Sequence, residues 1–290
     1  MIAMDNGVED LKRQHPEWGP WLAVIQEILN EIAEPKWEAM VPSAAAPQAS
    51  KIPLLAQVTL EPDRRSLARI FDNLMRIAGR SGAPKMATLQ AAPYAGLDVL
   101  ALLQALLNQD DHHINKCASV AGVDPEAFRA VAALLPMPLL YACNRRWKSY
   151  EGWMEGYCPI CGAWPAYAEV RGIERSRYFR CAGCGSEWQA QCLFCPYCGM
   201  TDHRELASLV PEQSGSNSAI DACNRCRGYV KAFTKLQGSP PARIIPEDLA
   251  SVALDVAAAE RGYKRPRGAG YSLNLTLTSR ERTIAVGVNS

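Results

Sequence analysis

The sequence lacks an excess of either charge, a long apolar run and any familiar catalytic signature. Lys and Arg number 31 against 30 Asp and Glu, for a net charge of +1. No basic field therefore marks a surface for nucleic acid or an anionic membrane. The longest apolar run, residues 130–143, holds Pro136 and Pro138, whereas a helix crossing a bilayer needs about 20 apolar residues. No membrane insertion is expected. The first ten residues hold no basic segment followed by an apolar one, so no secretory leader is expected and a cytoplasmic protein is. Gly and Pro, 20 each among 290 residues, are too few for a low-complexity or collagen-like chain. A Gly-rich phosphate loop, a Gly-x-Ser-x-Gly elbow and a His–carboxylate metal motif are all missing. No catalytic residue is assigned, and an enzyme is not expected.

Cysteine is what the sequence does have. Of 11 cysteines, only Cys117 and Cys143 precede Cys158, and none follows Cys226. Clustered cysteines in an intracellular chain point to metal rather than to disulfides. Four Cys-x-x-Cys pairs follow one another: Cys158/Cys161, Cys181/Cys184, Cys195/Cys198 and Cys223/Cys226. Each such loop sets two thiolates about one metal apart. A Gly just after the second Cys lets the backbone turn with positive φ and aim amides at the sulfurs. Gly162, Gly185 and Gly199 hold that position, while Arg227 takes it in the fourth loop, making that the weakest match. Two loops supply a tetrahedron of sulfur, suited to zinc or to a single iron. Two metal ions, each in a four-cysteine site, are expected. Sequential pairing, first with second and third with fourth, is favoured over a cross-brace because each half has its own strands. Cys195-Pro-Tyr-Cys198-Gly repeats Cys158-Pro-Ile-Cys161-Gly, which leaves Cys192 as a structural thiol. With all-sulfur ligands both sites look closed, whereas a catalytic zinc keeps an open position.

Residues 1–150 read as helical. Leu22, Ile25, Ile28, Leu29 and Ile32 recur at helical spacing up to Pro35. Leu67, Ile70, Phe71, Leu74 and Ile77 form a second stripe, capped by Asp63 and closed by Gly79 and Gly82. A helix around Leu97–Leu107 is apolar nearly all round and suits the centre of a bundle. Asp124-Pro125 opens another, which breaks near Pro136 and Pro138, and a further segment carries Trp147. Residues 43–53 read as a loop, His112 and His113 as surface histidines, Cys117 and Cys143 as core thiols. From Tyr157 to about Phe233 short β-like runs alternate with Cys-Gly turns, with Ser214–Asn217 as a polar turn. Arg171, Arg175, Arg177 and Arg180 are interleaved with Glu169, Glu174 and Glu187, which suits a solvated or protein-binding face. Eight thiolates against two divalent ions would also move the net charge from +1 to −3. After a Gly-Ser-Pro-Pro linker, one helix presents Leu249, Val252, Ala253 and Val256 on one face. Leu273, Leu275 and Leu277, then Ile284, Val286 and Val288, suit either a hairpin or a frayed end.

These residues resemble the formate dehydrogenase accessory protein (FdhE) family. The resemblance rests on Cys158-Pro-Ile-Cys161-Gly-Ala-Trp-Pro165, Arg177-Tyr-Phe-Arg-Cys181-x-x-Cys184, Glu187-Trp188 and Cys223-x-x-Cys226. It continues through Tyr229-Val-Lys231, residues 247–255 and Gly262-Tyr263. The departures are Cys192, Arg227 and a longer tail after Tyr263. The resemblance implies an α+β multidomain chain. An all-α domain (residues 1–150) precedes two tandem rubredoxin-like or zinc-ribbon β modules (157–191 and 192–236), and a C-terminal helix and tail (237–290) follow. It implies metal on the eight paired cysteines, iron or zinc, and a maturation factor that binds the catalytic subunit of a formate dehydrogenase. Trp164, Arg177, Tyr178 and Trp188 are the expected partner contacts, although the aromatics could instead pack the small ribbon cores. A homodimer is left open. A rubredoxin-like iron electron carrier and a zinc-ribbon nucleic-acid binder are the alternatives.

Overall fold

A computed structural model describes residues 7–43, 51–90, 94–147, 152–212 and 217–278. The middle of the expected 43–53 loop, Ser214–Ser216 of the polar turn, and Ile284, Val286 and Val288 lie outside the described residues.

The first half is a helix bundle: α1 (Val8–Gln14), α2 (Gly19–Ile32), α3 (Arg64–Gly79), the single turn α4 (Pro84–Ala87), α5 (Val99–Asn108), α6 (Asp111–Ala121), α7 (Pro125–Ala132) and α8 (Met137–Arg146). Four of these begin on an Asp whose carboxylate accepts from the first-turn N–H groups, namely Asp63, Asp98, Asp110 and Asp124. Each such cap satisfies donors that the helix leaves orphaned. The apolar stretch across Pro136 and Pro138 forms α7 and α8, and most of it is buried in the bundle. Cys117 and Cys143 are buried as expected. Burial pushes the Cys143 thiol far above its ordinary range, so it stays protonated and unreactive.

The second half is built on one mixed sheet. Strands β1 (Tyr167–Arg171), β2 (Ser176–Arg180), β3 (Glu187–Ala190), β4 (Leu206–Leu209), β5 (Ser218–Cys223) and β6 (Tyr229–Lys235) lie in the order β3-β2-β1-β6-β5-β4. Each half of this order is an antiparallel meander. The two meanders join where β1 runs parallel to β6, Tyr167 opposite Lys231 through Arg171 opposite Lys235. The two β modules are therefore fused edge to edge. The bundle's apolar core continues under the first meander, through Phe179 and Trp188, to Val230 and Ala232 of β6.

Three expectations change here. The Arg/Glu-rich hairpin is not a solvated face: Glu169, Arg177 and Arg180 are buried, and of its charged residues just Glu174 and Arg175, in the turn, are exposed. Burial is tolerated because the charges are paired. Glu169 takes donors from Arg171, Arg180 (3.1 Å) and the Ser239 N–H (3.2 Å). Burial alone would raise its pKa, but the Arg180 and Arg171 guanidiniums hold it below the usual carboxylate range.

The single C-terminal helix is two, α9 (Ile244–Ala250) and α10 (Val252–Glu260), broken at Ser251, whose hydroxyl donates to the carbonyls of Glu247 and Asp248. The break turns Val252 and Val256 to solvent and brings Leu254, Ala257 and Ala258 onto Ile220 and Tyr229.

The tail is not frayed as far as Thr278, and the second arm of the expected hairpin lies outside the described residues. Leu273, Leu275 and Leu277 are buried against the bundle. Asn108 and Gln104 of α5 bond the backbone of Leu275 and Leu277 with their side-chain amides, at 2.7–2.9 Å. These amides stand in for a neighbouring strand.

Candidate metal centres

Each Cys-x-x-Cys loop closes on the same two backbone bonds. The first Cys N–H donates to the carbonyl five residues on, and the N–H four residues on returns to that Cys carbonyl. The pairs are Cys158–Ala163 and Gly162–Cys158, Cys181–Ser186 and Gly185–Cys181, Cys195–Met200 and Gly199–Cys195, Cys223–Gly228 and Arg227–Cys223, all at 2.8–3.0 Å. The residue after the second Cys is left-handed in all four, with φ of 72°, 74° and 70° at Gly162, Gly185 and Gly199, and 58° at Arg227. The fourth loop is therefore a complete knuckle despite its Arg. That side chain is held by donating to the Arg261 and Gly262 carbonyls and by stacking 4.0 Å over the Tyr263 ring.

The loops meet in sequential pairs. The sulfurs of Cys158, Cys161, Cys181 and Cys184 all lie within 4.8 Å of one another, as do those of Cys195, Cys198, Cys223 and Cys226. Sγ–Sγ distances are 3.5 Å for Cys158–Cys184 and Cys161–Cys181, 3.6 Å for Cys195–Cys226 and 3.7 Å for Cys198–Cys223. A tetrahedron of thiolates about 2.3 Å from one metal has edges of about 3.8 Å. None of these cysteines is in a disulfide. The two four-cysteine clusters thus fit two metal ions, and an all-sulfur donor set suits iron as well as zinc.

Backbone amides and a hydroxyl support the first cluster. The Ile160 and Cys161 N–H groups point at Cys158 Sγ (3.4 Å each), and Ser186 Oγ lies 3.1 Å from both Cys158 and Cys184 Sγ. Such donors delocalise thiolate charge. In the second, the Gly228 N–H approaches Cys226 Sγ at 3.4 Å.

The four expected contact residues divide. Arg177 and Trp188 are buried, at 4% and 3% exposure. Arg177 donates to Asp221 Oδ2 (2.9 Å), to the Phe194 carbonyl (2.9 Å) and to the Gln191 carbonyl (3.3 Å), tying β2 to β5 and to the link between the meanders. Trp188 packs on Phe179 and donates to the Glu155 carbonyl. Trp164 and Tyr178 are half-buried. Trp164 meets Tyr197 of the third knuckle edge to face at 5.2 Å, and Arg171 stacks on Tyr178. Cys192 is exposed rather than packed as a structural thiol. It lies at the rim of a cavity of about 150 Å³ that Cys195 and Cys223 also line. His112 and His203 are exposed and His113 half-buried, none of them in either sulfur cluster. Periodicity alone missed strand β3, which has four residues and no clean alternation.

Comparison with known proteins agrees with this picture. Residues 191–273 match the family model described as FdhE, C-terminal domain. The chain is 26% identical over 211 residues to an FdhE homolog of Aquifex aeolicus, covering 70% of this chain and 69% of that one. It is 29% identical over 192 residues to one from Glaesserella parasuis, covering 60% and 59%. To one from Pseudomonas aeruginosa it is 35% identical over 114 residues, covering 37% of each. The last two alignments thus span less than two thirds of those relatives. The crystal structure of the FdhE protein from Pseudomonas aeruginosa shares the fold, with a TM-score of 0.54 at 20% identity over 91% of this chain and 92% of that chain. These matches bear out the FdhE resemblance read from the cysteine pattern.

Proposed function

We propose that this chain is a non-enzymatic accessory protein for a formate dehydrogenase and binds that enzyme's catalytic subunit in the cytoplasm. One observation carries the reading: two all-sulfur clusters stand in a chain whose residues 191–273 match the FdhE C-terminal domain. On this reading Cys158, Cys161, Cys181 and Cys184 hold one metal ion, and Cys195, Cys198, Cys223 and Cys226 hold another. Four sulfurs complete a tetrahedron and leave no position for a substrate. The metals would instead fix a rigid sheet, and a pre-organised surface binds at lower entropic cost. The units are a helical domain (1–150), two metal modules (157–191 and 192–236) and a C-terminal segment (237–290). Trp164 and Tyr178, each half-buried, are the contacts to test; Arg177 and Trp188 act by holding the sheet together. Arg171, Arg177 and Arg180 are engaged by carboxylates, which supports a protein partner over a nucleic acid.

The test deletes the gene in its host, measures formate dehydrogenase activity and complements with variants. Activity should fall in the deletion strain, return with the wild-type chain, and fail to return with cysteine-to-serine knuckles. The catalytic subunit should co-purify with the metal-loaded protein. Full activity without the gene, together with no catalytic subunit recovered, would overturn the proposal.

A rubredoxin-like electron carrier is the second reading, and the exposure of Cys198 favours it. Iron-loaded protein should then show thiolate-to-iron charge-transfer bands that bleach on reduction. A colourless, two-zinc protein that restores activity would exclude that reading.

A further inference from the structure

We infer that the two four-cysteine centres are unequal: the first is a closed junction between parts of the fold, and the second exchanges its metal with ligands from solution. The inference rests on the ligand assignment above but not on the identity of any client.

The first centre lies beneath other parts of the fold. Its four cysteines are buried. The bundle covers the second knuckle, where a Cβ at Gly185 would lie 2.6 Å from Tyr141 Cε1 and 2.9 Å from Pro241 Cβ. The Tyr141 hydroxyl donates towards the Ala182 and Pro241 carbonyls, 3.3 Å each. The 3-10 turn Leu54–Gln57 ties the first knuckle, with the Leu54 and Leu55 N–H groups donating to the Pro159 and Ile160 carbonyls. The tail closes the rest, as the Gly270 and Tyr271 N–H groups both donate to the Gly162 carbonyl. Three separate stretches of chain thus meet at this centre.

The second centre is covered on part of its surface and not on the rest. Cys198 is exposed and Cys226 partly so. A Cβ at Gly199, the equivalent of Gly185, would meet nothing within 4 Å. The third knuckle packs on Gly156 and Trp164 through Pro196 and Tyr197, and the fourth is tied by the Lys264 N–H to the Arg227 carbonyl and by the Tyr263 hydroxyl to Asn224, but these contacts leave the Cys198 side of the centre in solvent. Cys195 and Cys223 also line a cavity of about 150 Å³, together with Leu193 and Leu206.

Metal exchange from a thiolate site is a ligand substitution. With a metal held by the four cysteines, a donor atom of the incoming ligand would replace one cysteine sulfur as ligand, and the freed thiolate would take a proton from water. No electrons move. The step requires the incoming donor to reach the metal's neighbourhood, and the molecule permits that only at the second centre. Removing metal from the first requires Tyr141, the Leu54 turn and the tail to separate first.

Protein loaded with zinc and mixed with excess 4-(2-pyridylazo)resorcinol tests this by absorbance. Zinc should leave in two phases of one equivalent each, the first faster by about tenfold or more, a barrier difference of at least about 1.4 kcal/mol. The Cys198→Ser variant should lose the fast equivalent and keep the slow one. In wild-type protein with Cys192 alkylated beforehand, iodoacetamide added during release should label Cys195, Cys198, Cys223 and Cys226 before Cys158, Cys161, Cys181 and Cys184. This arm holds even where Cys198→Ser fails to fold. Release of both equivalents at one rate, or labelling in the reverse order, would overturn the inference while leaving the ligand assignment standing. Protein that binds no zinc or iron would remove the ligand assignment itself.

Discussion

Replacing Gly185 by Ala separates two costs that the structure places at one residue. The backbone there is left-handed, φ +74°, which costs an L residue about 1–2 kcal/mol relative to Gly. The new methyl would also sit 2.6 Å from Tyr141 Cε1. Tyr141 is a fully buried ring tied at its hydroxyl, so it has little room to yield. Overpacking of this kind costs about 1–3 kcal/mol. Together the two come to about 2–5 kcal/mol, a fall in Tm of about 3–8 °C for a chain of this size. Gly199→Ala is the control. Its φ is +70°, but the added Cβ meets open space, so only the backbone cost of about 1–2 kcal/mol remains. Calorimetry on metal-loaded proteins should find Gly185→Ala melting several degrees below Gly199→Ala, both with full metal content. Equal melting temperatures would refute the claim that the bundle presses on the second knuckle.

Three further outcomes are expected. Arg227→Ala should be less stable than Arg227→Gly by about 1 kcal/mol, since Ala keeps the left-handed backbone and loses the Tyr263 stack while Gly relieves the backbone; urea midpoints measure the difference. Lys231→Met should cost about 3–5 kcal/mol, because the ammonium is fully buried between Asp248 (2.7 Å) and Asp255 (2.9 Å) and its removal leaves both carboxylates to Arg265. Burial works to raise the pKa values of Glu169, Glu247 and Asp255, but their cationic and hydroxyl partners hold all three below the usual range. Their contribution is therefore present in full above the unfolded values of about 4–4.5 and is lost as pH falls through the lowered folded ones. Glu247→Gln should shallow the acid limb of stability against pH, and an unchanged limb would contradict the assignment; thiolate protonation is common to both proteins and cancels in the comparison.

What could be read from the sequence was local. The Cys-x-x-Cys loops, their glycines and the Asp caps all act over three to five residues, so spacing alone displays them. What supports Arg227 was not legible locally, because it comes from Tyr263 and the Arg261 carbonyl, far along the chain. The fusion of the two meanders was hidden for a similar reason. The joining strands carry Glu169, Lys231 and Lys235, charged residue types that a strand ordinarily turns to solvent. Glu169 and Lys231 are buried, and Lys235 half-buried, because Arg180, Asp248, Asp255 and Glu247 arrive from elsewhere to neutralise them. The break at Ser251 was also illegible, since no Gly or Pro marks it. The docking of Leu273–Leu277 depends on side-chain amides of α5 that no pattern in the tail announces.

The join between the meanders bears on how the two centres communicate. Each meander runs knuckle, hairpin, knuckle, strand, and each has its first strand at one edge and its third at the other. Joining β1 of one to β6 of the other is a head-to-tail contact, which does not close on itself and leaves β3 and β4 as outer edges. A metal at the first centre fixes the knuckle that leads into β1, and a metal at the second fixes the knuckle that leads into β6. Both therefore bear on the same ladder, Tyr167–Arg171 against Lys231–Lys235. The charged network around Glu169, Lys235 and Glu247 lies on that ladder and clamps α9 to it. Loosening the exposed centre should then be felt first along β6 and α9, and reach the bundle through β1 and through the contacts that Val230, Ala232 and Leu249 make with its core. The buried centre, tied to α8, the Leu54 turn and the tail, resists that spread. An exchangeable centre can thus sit beside a structural one in a single sheet without putting the whole fold at risk.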